Sequence, residues 1–165
     1  MTPARSQALK LALAVVLLAL AGVAWFRWGG LDGGGTDRAW FYDLSEGRLF
    51  TAPRSAIPPI RGLNDEQEDA VRAVVISTNG NPRDRAARTI AYLETYSPEL
   101  KRQMEAARAA GESPPMGRGL AQAHRLVRRL HDRQWYPLTS PEAERIVSEW
   151  LTAGPNGGPA VICPP

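Results

Sequence analysis

The chain has 165 residues, 44% of them hydrophobic, which allows one domain of ordinary size plus an extension and excludes wholesale disorder. Its formal charge of +3 belongs to Arg5, Lys10 and Arg27 alone, because from Trp28 onward 17 basic and 17 acidic residues balance. A nucleic-acid binder needs a basic footprint on its folded part, and the overall charge supplies none.

Residues 11–26 read LALAVVLLALAGVAWF, sixteen residues without a charge. As a helix they span roughly 24 Å, and extension from Ala8 to Trp28 gives the ~20 residues that cross a bilayer. Lys10 and Arg27 can then reach the two interfaces, where Trp25 and Trp28 would sit in an aromatic belt. A cleaved signal peptide is the competing reading, with cleavage after Gly22-Val23-Ala24. The bulky Trp25 and Phe26 beyond that point favour retention. Arg5, Lys10 and the amino terminus precede the helix, and Asp32 and Asp37 follow it. That bias predicts a single-pass protein of the bacterial inner membrane, N-terminus in the cytoplasm and C-terminal domain outside. There is no cysteine just after the apolar run, as a lipoprotein requires. A pilin-like subunit would carry a Gly before the run and a Glu early in it, and neither is present.

Residues 29–36, GGLDGGGT, are a flexible tether. The domain then runs over 37–153, and 154–165 is a Gly/Pro-rich tail. AWFYDLSEGRLFTA (39–52) predicts a β-hairpin turning at Ser45-Glu46-Gly47, one face buried. Ile57-Pro58-Pro59-Ile60 is an extended connector, and 64–69 (NDEQED) a solvated acidic loop. VRAVVIS (71–77) predicts a central strand that TNGNP (78–82) breaks. RTIAYLETY (88–96) reads as helix or strand, and its Tyr92, Thr95 and Tyr96 favour strand.

Ser97-Pro98-Glu99 starts a helix to about Ala110, which Gly111 ends. Residues 112–119 form a second Pro/Gly-rich loop, and 124–130 (HRLVRRL) look extended. Ser140-Pro141-Glu142 repeats the helix start, with Ala143, Ile146, Val147, Trp150 and Leu151 at helical spacing. The predicted fold is therefore α+β: an N-terminal transmembrane helix, then a small, mainly antiparallel sheet with two helices on one face.

Trp40-Phe41-Tyr42-Asp43-Leu44, Gly47, Leu49-Phe50 and Ile57-Pro58-Pro59-Ile60 resemble a group of uncharacterised, single-pass membrane-anchored proteins of planctomycete-like bacteria. Tyr92-Leu93-Glu94, Tyr96-Ser97-Pro98-Glu99, and Trp135 through Ser140-Pro141-Glu142 are similar to later blocks of that group, so the likeness covers most of 40–146. The resemblance implies an anchored domain and no particular activity. Relatives can carry cysteines soon after the strand ending at Ser77. Thr78, Asn79 and Gly80 stand there in this chain, which implies that no cysteine chemistry operates at that place.

His124 and His131 are the only histidines, and no HxH, HxxxH or HExxH spacing joins them. With a single cysteine, Cys163, placed in what reads as a mobile tail, neither a disulfide framework nor a Cys-rich metal site is expected, and no cofactor is. An exported Cys163 could still pair between chains, so a homo-oligomer stays possible. No GxSxG, P-loop or dinucleotide fingerprint occurs. Arg118, Arg125, Arg128, Arg129 and Arg133 form a basic stretch opposed only by Asp132, a candidate interaction patch that could equally be a solvated face. Trp40, Tyr42, Trp135 and Trp150 are expected to build the core.

The expected partners are membrane lipid through the N-terminal helix and an envelope protein through the domain, with no nucleic acid. The expected role is protein interaction or structure in the envelope, more than catalysis. The alternatives are an extracytoplasmic enzyme acting on wall or glycan, or a pilin-like secretion component.

Overall fold

The computed structural model describes residues 37–64, 67–113, 115–152, 154 and 160–165. The apolar segment, the glycine tether, Asp65 and Glu66 of the acidic loop and most of 153–159 lie outside the described residues. Among the described residues, no helix is long and apolar enough to cross a membrane.

An α+β fold is present. Seven antiparallel strands form one sheet: β1 (Arg38–Asp43), β2 (Arg48–Pro53), β3 (Ala70–Ser77), β4 (Arg88–Tyr96), β5 (Arg125–Arg128), β6 (Tyr136–Pro137) and β7 (Val161–Ile162). Their order is β2-β1-β3-β4-β5-β6, with β7 pairing β3. Helix α1 covers Pro98–Ala110, α2 Arg118–Ala123 and α3 Pro141–Glu149.

The local signals explain most of these elements. Gly47 takes φ 64° in the β1–β2 turn, where its N–H donates to the Asp43 carbonyl at 3.0 Å. The Ser97 and Ser140 hydroxyls each accept from the backbone N–H three residues on, at 3.2 Å, and each helix has Pro in its first turn. Gly111 closes α1 in the left-handed region at φ 69°.

The sheet buries apolar side chains on both faces. On one, Val71, Ala73, Val75, Leu93 and Cys163 form a cluster against which Trp40, Tyr42, Ile90, Leu130 and Trp135 pack. On the other, Tyr92 and Val127 meet Ala143 and Ile146 of α3, with Val74, Val147 and Trp150 alongside. A bulge supports this division. Val74 pairs with Tyr92 but Val75 pairs with Ile90, so Ala91 is the extra residue and the alternation along β4 shifts there. Ile90 thereby joins the Trp40 face, and the Arg88 guanidinium stands 5.8 Å over the Trp40 ring.

Buried polar groups fix the connectors. Lys101, 8% exposed, donates from Nζ to the Pro59 carbonyl at 2.6 Å and pairs with Glu68, which ties α1 to the 56–61 segment. Asp43 binds the hairpin turn to Leu63 through hydrogen bonds taken up in the Discussion.

Four expectations need correction. Cys163 is not on a mobile tail: it is 1% exposed, and its N–H donates to the Val75 carbonyl at 2.8 Å. The tail is not wholly irregular, because β7 adds to the free edge at the end of β3. A third helix, α2, follows the Pro/Gly-rich loop; it begins at Gly117 with no side-chain cap to announce it. The extended 124–130 segment contracts to β5, and its last residues turn to carry Leu130 and Trp135 onto the Trp40 face.

Candidate binding site

The structure disperses the five arginines of the basic stretch. Along β5, Arg125 and Val127 face one side of the sheet and Leu126 and Arg128 the other. Arg125 approaches Glu94 at 3.9 Å. Arg128 is half-buried: its guanidinium stacks on Trp135 at 4.7 Å and donates to the Asp132 carbonyl, while its Nε is buried with no partner among the described residues. Burial lowers its pKa, against the attraction of Asp132. Arg129 forks onto Glu149, Nε to Oε2 at 2.9 Å and Nη2 to Oε1, and reaches Asp132 at 3.3 Å. These hydrogen bonds raise the Arg129 pKa and lower that of Glu149. Arg133 is exposed, and Arg118 opens α2. Three of the five thus already have neighbours within the domain.

His124 and His131 do not come together as ligands. The Ser97 hydroxyl meets His124 Nδ1 at 2.8 Å, and the Ser97 N–H donates to the His124 carbonyl at 2.8 Å, a two-point stitch between the start of α1 and β5. His131 is exposed. Among the described residues, no group of three or more His, Cys, Asp or Glu is placed to hold a metal ion.

A different constellation stands out on β3. Its ladder with β1 covers Ala70–Arg72 and its ladder with β7 covers Ile76–Ser77, on the same edge. Ala73, Val74 and Val75 lie between the two. Cys163 N–H reaches Val75, but Pro164 and Pro165 have no N–H with which to continue the ladder. The result is an open notch of about 450 Å³. Ala39, Val74, Val75, Tyr92 and Ile162 give it an apolar floor; Arg38, Arg54 and Arg72 stand in its wall, with no Asp or Glu among the lining residues.

The hairpin brings the first two cations together, since Arg38 pairs with Pro53 and the Arg54 N–H donates to the Asp37 carbonyl at 2.8 Å. Arg38 is steadied by Thr51, to whose Oγ1 its Nε donates at 2.9 Å. Arg72 stands 5.9 Å over the Phe41 ring, and its Nη2 donates to the carbonyls of Arg54 at 2.9 Å and Ala56 at 3.2 Å. Its Nε is buried with no partner among the described residues. Burial, with Glu94 adding to it, pushes the Tyr92 hydroxyl up to about 12, so it brings no negative charge to the floor at neutral pH.

The hairpin periodicity alone pairs residue 38 with 53, so the meeting of Arg38 and Arg54 was open to sequence reasoning. Nothing local announced Arg72 or the tail prolines as their neighbours.

Fold and site together define an α+β domain with a cation-walled notch in one edge of its sheet. No protein-family model, curated protein or solved structure matches the chain.

Proposed function

We infer that this chain is a single-pass protein of the bacterial inner membrane, held by its 8–28 segment, whose domain outside the cytoplasm binds an envelope protein. The resemblance to anchored proteins of planctomycete-like bacteria and the charge bias around the apolar segment support the topology. The notch carries the binding role. It is an open strand edge with an apolar floor and uncompensated positive charge, the kind of place where another chain adds to a sheet. The basic stretch on 118–133 is a second contact surface at most, because Arg128 and Arg129 are held by Trp135 and Glu149.

The test uses the full chain in cells. A C-terminal reporter active only outside the cytoplasm should give signal, and one active only inside should not. A photoreactive residue at the exposed Pro164, in the notch wall, should crosslink to a discrete protein, and one at the exposed Gln122 on α2 should not. Signal from the cytoplasmic reporter refutes the topology, and equal crosslinking from both positions refutes the notch.

A further inference from the structure

We propose that the occupant of the notch is an extended acidic peptide segment, which lies along Ala73–Val75 of β3 and sets a carboxylate among Arg38, Arg54 and Arg72. This rests on the reading of the notch as the protein-binding site. Charge selects the acid: three guanidinia line the notch and no carboxylate does. Each is differently available. Arg38 is engaged by Thr51, whereas Arg54 is exposed with no side-chain hydrogen bond or ion pair among the described residues. Arg72 is anchored through Nη2 and leaves Nε buried without an acceptor. A carboxylate that reaches Nε supplies the missing acceptor, and hydrogen bonds between ions are the strong kind.

Shape selects an extended peptide. A strand sends alternate side chains to opposite sides, so one set settles on Val74 and Tyr92 while its backbone meets the β3 edge. The prolines at 164 and 165 keep this chain's own tail from completing that pairing. A lipid headgroup would satisfy the arginines but would leave the concave apolar floor uncovered.

The experiment measures fluorescence polarisation of a short labelled peptide of alternating Val and Glu, and of its Val/Gln counterpart, against the full chain in neutral detergent. The Glu peptide should bind about tenfold or more tighter than the Gln peptide. That advantage should shrink as salt rises from about 0.01 to about 0.15 M. Arg54→Glu, at an exposed side chain, should abolish the preference, and Arg133→Glu, also exposed, should leave it intact. Equal binding of the two peptides, or an Arg54→Glu variant that keeps the preference, overturns the acidic assignment. If the Pro164 crosslink persists in that case, the notch still binds protein and only the ligand chemistry was wrong. If the crosslink is lost too, the underlying reading falls with it. Displacement of the Glu peptide by phosphatidylglycerol vesicles, but not by phosphatidylcholine vesicles, assigns the notch to lipid and overturns the proposal.

Discussion

Asp43 is fully removed from solvent. Burial alone would push its carboxyl upward, but hydrogen bonds from the Glu46 and Leu63 N–H groups, and from the hydroxyl and N–H of Ser45, outweigh that and hold it below the ordinary carboxylate range. One side chain thus ties the β1–β2 turn to Leu63, twenty residues on in sequence. A pKa depressed by folding means that the stabilisation is present above the unfolded value of about 3.9 and is lost as pH falls through the folded value. Asp43→Asn keeps the shape but turns an amide donor toward a donor. It should cost about 1–3 kcal/mol at neutral pH. Unfolding of the full chain in mild detergent, followed by tryptophan fluorescence, should also show a weaker loss of stability below about pH 4 in the variant than in the wild type. Equal acid sensitivity in both would mean that other carboxylates govern it.

At the scale of elements, the two faces of the sheet make separable contributions. Trp40 packs with Val71, Ala73 and Leu93, whereas Trp150 packs with Tyr92, Val127 and Ile146, and the two clusters share no residue. Both rings are half-buried, so Trp40→Ala and Trp150→Ala should each cost about 2–3 kcal/mol, below the cost of a fully buried tryptophan. Since nothing couples them, the double variant should lose the sum within about 0.5 kcal/mol. Denaturant midpoints of the two single variants and the double variant check this, and a deficit well below the sum would place the tryptophans in one core. Hairpin β1–β2, strand β3 and the serine-proline helix starts were legible because alternation, turn glycines and caps are local. The bulge at Ala91 was not, because it exists only relative to β3. Strand β7 was not either: two residues after a Gly/Pro run carry no periodicity, and their strand character comes from the free edge they find. The same holds for the notch, whose arginines come from two strands and the segment after β2, and whose prolines come from the far end of the domain.

Over the whole molecule, the final residues close the domain onto its beginning. The Trp40 Nε1–H donates to the Cys163 carbonyl at 3.0 Å across 123 positions of chain. Cys163 itself sits in the cluster with Val71, Val75 and Leu93. Its thiol is therefore a reporter of whether the tail is docked. A thiol on a loose tail would react with a maleimide as fast as a free cysteine and would form disulfide-linked dimers under oxidation. A thiol 1% exposed in a packed cluster must wait for an opening event. If that opening costs about 3 kcal/mol or more, labelling of the native full chain should be slowed about a hundredfold or more relative to the urea-unfolded chain. Trp40→Ala removes a hydrogen-bond donor to the tail as well as a packing partner, so it should speed labelling more than Trp150→Ala, which touches the opposite face. The equilibrium stabilities of the two variants should stay comparable, which separates release of the tail from general loosening. Labelling of the native wild type at the free-cysteine rate would show that the tail is not docked. The notch would then lose its Pro164–Pro165 wall, because that wall stands only while Cys163 is held.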